Sequence, residues 1–405
     1  MIKDLQQSLR KWRLNIAVAV VAAVITWYFS LLTLYGVAAT GVVWLVVWLI
    51  FGGVYLLLQW SDLPKVFAKL LTRDRFLRMD VKSLFRHYHD EVPVFEVFPY
   101  TELANWSNGE GVDFPIIDLE IHSQAFAAQG WSIPIDRFRA KEQARRRQEG
   151  FESGGNRRLV RLRDAKRANS GIRLVIQPAY YSDQGATNFI LDTKLPRTME
   201  GAHTLRSYLE RNNPGHLVPL EDETLANTVG SCVLLRCRVY GHRQPLFTFR
   251  SAGVAINRHT WNSTSSSAVG WPTDAQPNAT FEEFFTNWTR DHLTDEVGIK
   301  HDEVTLLKPM ALCREWGRGG KPQLFYVGET NLEFNEIRER MRQIQKDKDE
   351  KREVVETLPF PMMKGTPTFK NLKDLAENYK KWNLNPEAAV AYYYYLMWEI
   401  KGVNG

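Results

Sequence analysis

Cysteine is nearly absent: the 405 residues contain three, Cys232, Cys237 and Cys313. No pair has the CxxC spacing of a zinc ribbon or a dithiol oxidoreductase, so a disulfide framework and a cysteine metal site are excluded and a reducing compartment is expected. Long low-complexity tracts are also missing. With 44% hydrophobic and 24% charged residues the chain has enough apolar material to fold, and its length allows two or three folded units. Charge, finally, is absent from one place. Between Leu14 and Ser61 no charged residue occurs in 48 positions, although the mean hydropathy of the whole chain is only −0.32.

A helix needs about 20 apolar residues to cross a bilayer core, so that run predicts two crossings, near 14–34 and 37–58, joined by a tight turn at Tyr35 and Gly36. It is too long for the apolar core of a signal peptide. Lys3, Arg10, Lys11 and Arg13 precede the first span, and Lys65, Lys69, Arg73, Arg75 and Arg78 follow the second. By the positive-inside rule both termini are expected in the cytoplasm. Trp12 and Trp60 mark the two boundaries, and small residues such as Ala19, Ala23, Gly52 and Gly53 permit close helix approach.

Residues 62–135 read as an aromatic-rich connector without a motif, and 136–224 as the basic beginning of a cytoplasmic domain. Within 137–173 thirteen Lys/Arg face four acids, a net charge of +9. Three readings stay open for this patch: phosphate binding, contact with anionic lipid, and a solvated surface. Binding of a nucleic-acid polymer is not expected, because the arginines are not interleaved with stacking aromatics.

Strand-like runs follow in IRLVIQPAYY, GSCVLLRCRVY, QPLFTFRSAGVAIN, EVTLLKPMALCREW and KPQLFYVGET. A Ser/Thr/Pro/Asn-rich stretch from Trp261 to Thr280 reads as a loop. Phe281, Phe284, Phe285, Trp288 and Leu293 then recur at helical spacing, predicting an amphipathic helix from Phe281 to Val297 with Gly298 as its C-terminal cap. Another helix should start near Leu332. Residues 346–405 read as a charged linker and C-terminal helices, the last opened by Asn385 and Pro386. The fold class expected is α+β.

The segment T-R-D-H-L-T-D-E-V-G-I ending at Ile299 resembles the second half of the Nudix box, pinned at Leu293, Asp295, Glu296, Gly298 and Ile299. F-R-S-x-G-V-A at Phe249 to Ala255, Trp261 with its serine run to Gly270, and Glu283 eight residues before Asp291 agree with it. The resemblance covers roughly 225–332 and implies a Nudix-like α/β/α sandwich domain over about 225–345. It also implies a groove for nucleotides and phosphates. Members of the family hold Mg2+ on glutamates of the box helix. Here Asp291 and His292 replace the box Arg-Glu pair, and Gly270 and Glu283 are thirteen positions apart where the family has six. Imidazole is a poor Mg2+ ligand. Binding is therefore expected in place of catalysis, with no cofactor required. Glu283, Asp295 and Glu296 are the residual catalytic candidates, and Asp295 and Glu296 the metal candidates if Mg2+-dependent hydrolysis is retained.

A membrane hairpin joined to such a domain resembles the transmembrane Nudix-like effectors of bacterial cyclic-oligonucleotide (CBASS) antiphage defence. That likeness implies an inner-membrane protein that binds a cyclic nucleotide second messenger, forms homo-oligomers and disrupts the membrane. The ligand contacts expected are Arg250, Arg258 and His259 for phosphate, Trp261 as a stacking face, and His292. An active membrane-bound hydrolase of a nucleoside diphosphate derivative, and a structural adaptor on anionic lipid, remain the alternatives.

Overall fold

GSCVLLRCRV and KPQLFYVGETNLE carry apolar residues at successive positions, a pattern that suits strands covered on both faces. The computed structural model describes residues 79–402 except 108–115, 149–155, 169–170, 197–200, 251–258, 274, 348–353 and 360–368. The chain divides into two compact units, Met1–Phe76 and Leu77–Gly405, and all described residues belong to the second. Its main sheet is built from β1 (Pro93–Val94), β2 (Phe98–Asn105), β6 (Gly230–Val239), β7 (His242–Arg250), β10 (Val304–Glu315), β11 (Lys321–Glu333) and β12 (Val354–Pro359), in the order β1-β2-β10-β11-β6-β7-β12. Two short strands, β8 (Trp261–Asn262) and β9 (Ser265–Ala268), pair with β7 and β6. Within this sheet, among the described residues, β11 and β6 pair in parallel, with Phe325 opposite Cys232, and the other strand pairs are antiparallel. A second sheet, β3 (Ile117–Ile121), β5 (Gly171–Tyr180) and β4 (Arg158–Ala168), joins the first through bridges from Leu159 to Gly270 and Arg161 to Thr228.

Alternation along the strands divides the interior into two cores. Val233 and Leu235 of β6 and Leu324 and Tyr326 of β11 pack with Phe284, Leu293 and Val297, beneath α5 (Asn287–Val297), and with Ile337 and Met341 of α6 (Phe334–Asp347). Cys232, Leu234, Phe325 and Val327 point the other way, onto Leu372 and Leu375 of α7 (Phe369–Asn378) and Val390, Tyr394 and Leu396 of α8 (Pro386–Gly402). The remaining helices are α1 (Val81–His87), α2 (Ile133–Gln148), α3 (Tyr181–Ala186) and α4 (Leu205–Leu209).

The expected architecture is corrected in one major respect. The described residues form mixed α/β structure, and no helix among them is long and apolar enough to cross a membrane. The longest, α8, has 17 residues, roughly 25 Å at 1.5 Å per residue against a hydrocarbon core of about 30 Å, and its apolar side is spent on the sheet. The proposed spans at 14–34 and 37–58 lie outside the described residues. A transmembrane hairpin and an inner-membrane location are therefore not supported. Much of the basic segment is structural as well. Arg161 is fully buried, stacks over Phe126 and donates to the carbonyls of Leu220, Asp222 and Leu225. Residues of the supposed connector enter the main sheet as β2.

Between the sheet and α8 sits a buried ion cluster. Arg318 pairs with Glu315 and lies 3.8 Å from Glu387. Glu387 accepts from Gln323 Nε2 at 2.8 Å and from Ser266 Oγ. Lys321, 2% exposed, donates to Gln323 Oε1 at 3.2 Å. Burial, joined by the Arg318 charge, pushes its amine from 10.5 down to about 7, against the opposing pull of Glu315 and Glu387. Between those two values the unfolded chain holds the proton and the folded chain does not, so stability rises with pH across the window. The Lys321 contribution is complete above about 10.5 and lost by about 7. We expect Lys321→Met to be more stable than wild type at pH 7, with the advantage shrinking towards pH 10 in urea unfolding. A constant difference would show that the amine keeps its ordinary affinity for protons.

Candidate functional site

The helix expected at 281–297 is present in two parts, a π-turn at Glu282–Thr286 followed by α5. Phe285, Thr289, Leu293 and Val297 recur every fourth residue and are buried, which fixes the rotation of the helix. One position before each of these, His292 and Glu296 fall at the buried margin, while Asp291 and Asp295 point outward and are exposed. Gly298 ends the helix at φ 75°, a left-handed cap that glycine adopts without strain. Arg340 of α6 donates to the Gly298 carbonyl at 3.0 Å and pairs with Glu303 and Glu336, bracing this end from outside.

His292 Nε2 lies 3.0 Å from Glu296 Oε1, and their side chains are 20% and 12% exposed. Trp288, one turn earlier, stacks on the His292 ring at 5.0 Å and 14°. From the sheet side the Ser265 hydroxyl of β9 bonds Glu296, and the Arg250 guanidinium at the end of β7 acts on it electrostatically. Burial alone would raise the Glu296 carboxyl. His292, Ser265 and Arg250 together outweigh that and hold it below the usual carboxylate range. Arg250 Nε is buried with no hydrogen-bond partner among the described residues.

Of the residues named from sequence, His292 and Glu296 thus meet, and the Arg250 charge acts on the Glu296 carboxylate electrostatically. Glu283 does not join them. It accepts from the Thr280 N–H at 2.6 Å and the Thr280 hydroxyl at 2.9 Å, thirteen residues before Glu296, or on the order of 15–20 Å along the helix. These two bonds hold its carboxyl low. His259 is exposed, has φ 57° and gives its N–H to the Arg250 carbonyl. Trp261 is half-buried with its ring edge-on to Phe249 at 5.0 Å, so it packs as well as presenting a surface. Arg258 lies outside the described residues. Ser265 and Trp288 were not singled out from sequence as site residues. The serine run looked like a loop, and only its pairing with β6 reveals a strand whose side chains alternate between faces.

The donors around Glu296 are an imidazole, a hydroxyl and a guanidinium, a set that suits an anion and does not fit Mg2+, which wants several carboxylate or water oxygens. Among the described residues no group of three or more His, Cys, Asp or Glu is placed to hold a metal ion.

No protein-family model matches this chain, and no curated protein matches it. Among solved structures, a Nudix hydrolase from M. Smegmatis, RenU, is similar over 26% of this chain and 63% of its own, at 14% identity and a TM-score of 0.18. The match spans less than two thirds of that protein. A likeness this slight carries no argument about fold or activity.

A lowered carboxyl contributes stability that is full above its ordinary value of 4.5 and is lost as pH falls through the folded value. We expect His292→Phe, which keeps a ring on Trp288 but removes the partner of the Glu296 carboxylate, to lose about 1–3 kcal/mol at pH 6. The gap should close below about pH 4.5. Urea unfolding across that range checks it, and a gap that widens in acid would be inconsistent with the pairing.

Proposed function

We propose that the Arg250–His292–Glu296 site binds a nucleotide second messenger of the cyclic-oligonucleotide class without hydrolysing it, and that the chain is an antiphage effector whose output follows ligand-driven self-association. The observation that carries this reading is the unpartnered, buried Nε of Arg250. A desolvated guanidinium donor is costly unless an acceptor arrives, and a phosphodiester oxygen is the acceptor a guanidinium binds best. Glu296 supports the same reading. Already bonded by His292 and Ser265, with the Arg250 charge acting on it, its carboxylate is poorly placed to carry a divalent ion. A nucleotide phosphate therefore meets positive charge supplied by the protein, where a hydrolase of the family would supply it with Mg2+.

The test is isothermal titration of the full chain in EDTA with cyclic di-AMP, cyclic GMP-AMP and cyclic tri-AMP, with light scattering in parallel. We expect saturable binding of one of them, no product, a rise in mass, and about tenfold or greater loss of affinity in Arg250→Met. No binding in EDTA, together with Mg2+-dependent cleavage of ADP-ribose that Glu296→Gln abolishes, would replace this reading with an active hydrolase.

A further inference from the structure

The segment that carries half of the site is held from an unexpected direction. Strands β8 and β9 are two and four residues long; β8 packs through Trp261 on Phe249, whereas β9 is polar and is not fixed by apolar packing of its own. Residues 383–387, the junction of α7 and α8, supply what is missing. The Trp261 N–H donates to the Asn383 carbonyl at 2.9 Å, and the Asn385 N–H donates to the Trp261 carbonyl at 3.0 Å, so the junction pairs with β8 as an additional strand would. Asn383 Nδ2 donates to the His259 carbonyl at 2.8 Å, and Asn385 Nδ2 to Asn262 Oδ1 at 3.0 Å. Ser266 Oγ donates to Glu387.

Successive strand residues point to opposite faces. Ser265 therefore reaches Glu296 on α5 while Ser266 reaches Glu387 on α8. Slipping β9 by one residue would exchange the two faces and break both contacts at once. Glu387 is itself fixed, by Gln323 and by its place in the first turn of α8, where the helix dipole favours a carboxylate.

We propose that the α7–α8 junction is the positioning element of the ligand site, with Asn383 and Glu387 acting through β8 and β9 to keep Ser265 and the end of β7 in place at the Glu296 site. The inference rests on the reading of that site as a nucleotide-phosphate site. It makes the C-terminal helices, which the sequence places beyond a charged linker, a working part of ligand recognition.

The test uses the full chain and three variants, with cyclic di-AMP, cyclic GMP-AMP and cyclic tri-AMP as probes. Ser266→Ala removes the hydroxyl, and Ser266→Thr keeps it. Asn383→Gly preserves the left-handed backbone (φ 56° at Asn383) while deleting the amide to His259. We expect Ser266→Ala and Asn383→Gly to weaken binding by about tenfold or more, Ser266→Thr to restore affinity near the wild-type level, and the thermal midpoint to stay close to wild type in all three. Amide exchange at 259–268 should quicken in the two weakened variants. Wild-type binding that Ser266→Ala leaves intact despite faster exchange would overturn this inference alone. So would equal loss of affinity in Ser266→Ala and Ser266→Thr. Absence of binding by the wild-type chain would overturn the reading of the site, and this inference with it.

Discussion

A carboxylate pressed against a sheet must be answered by positive charge, and the arrangement around Glu296 follows from that requirement. Desolvation opposes its ionised form, yet His292, Ser265 and Arg250 keep it ionised. Each of these partners comes from a different part of the chain: His292 from one turn earlier in α5, Ser265 from β9, Arg250 from the end of β7. Satisfying one acid therefore ties a helix to two strands. The same economy recurs on the opposite face, where Glu387 gathers Ser266 and Gln323 and stands beside Arg318. The polar strand β9 lies between the two acids.

The physical contrast with metal-dependent phosphate chemistry is one of charge supply. A cluster of free carboxylates needs a divalent ion to become attractive to phosphate. A carboxylate already bonded by an imidazole and a hydroxyl has less capacity left for a divalent ion, and the unpartnered Arg250 Nε adds a donor. Glu283 and Asp295 do not alter this balance, since the first caps its own helix start and the second points outward.

Sequence periodicity located the elements whose side chains are apolar on both faces or striped on one. The runs that became β5, β6, β7, β10 and β11 were apparent because two cores demand hydrophobic residues at nearly every position, and the helix at 281–297 because its phenylalanines recur at helical spacing. His292 and Glu296, four residues apart, lie on one face of that helix. Strands β3 and β4 were hidden by charge. The serines of β9 were hidden by polarity, since a strand that exists to hydrogen-bond acids on both sides has no hydrophobic signature. Arg161 looked like surface charge because nothing in its neighbours reveals that carbonyls of 220–225 surround it. The membrane hairpin rested on an uncharged run with basic flanks and boundary tryptophans, all outside the described residues, and no described helix is long and apolar enough to cross a membrane.

The central claim is that Glu296 serves as an anchor for cationic side chains and not as a metal ligand. Paramagnetic line broadening by Mn2+ tests this most directly, observed on the His292 ring resonances of the full chain. The account predicts that Mn2+ at millimolar levels leaves the His292 signals no broader than those of exposed histidines such as His259. Selective broadening of His292 that disappears in Glu296→Gln would contradict it.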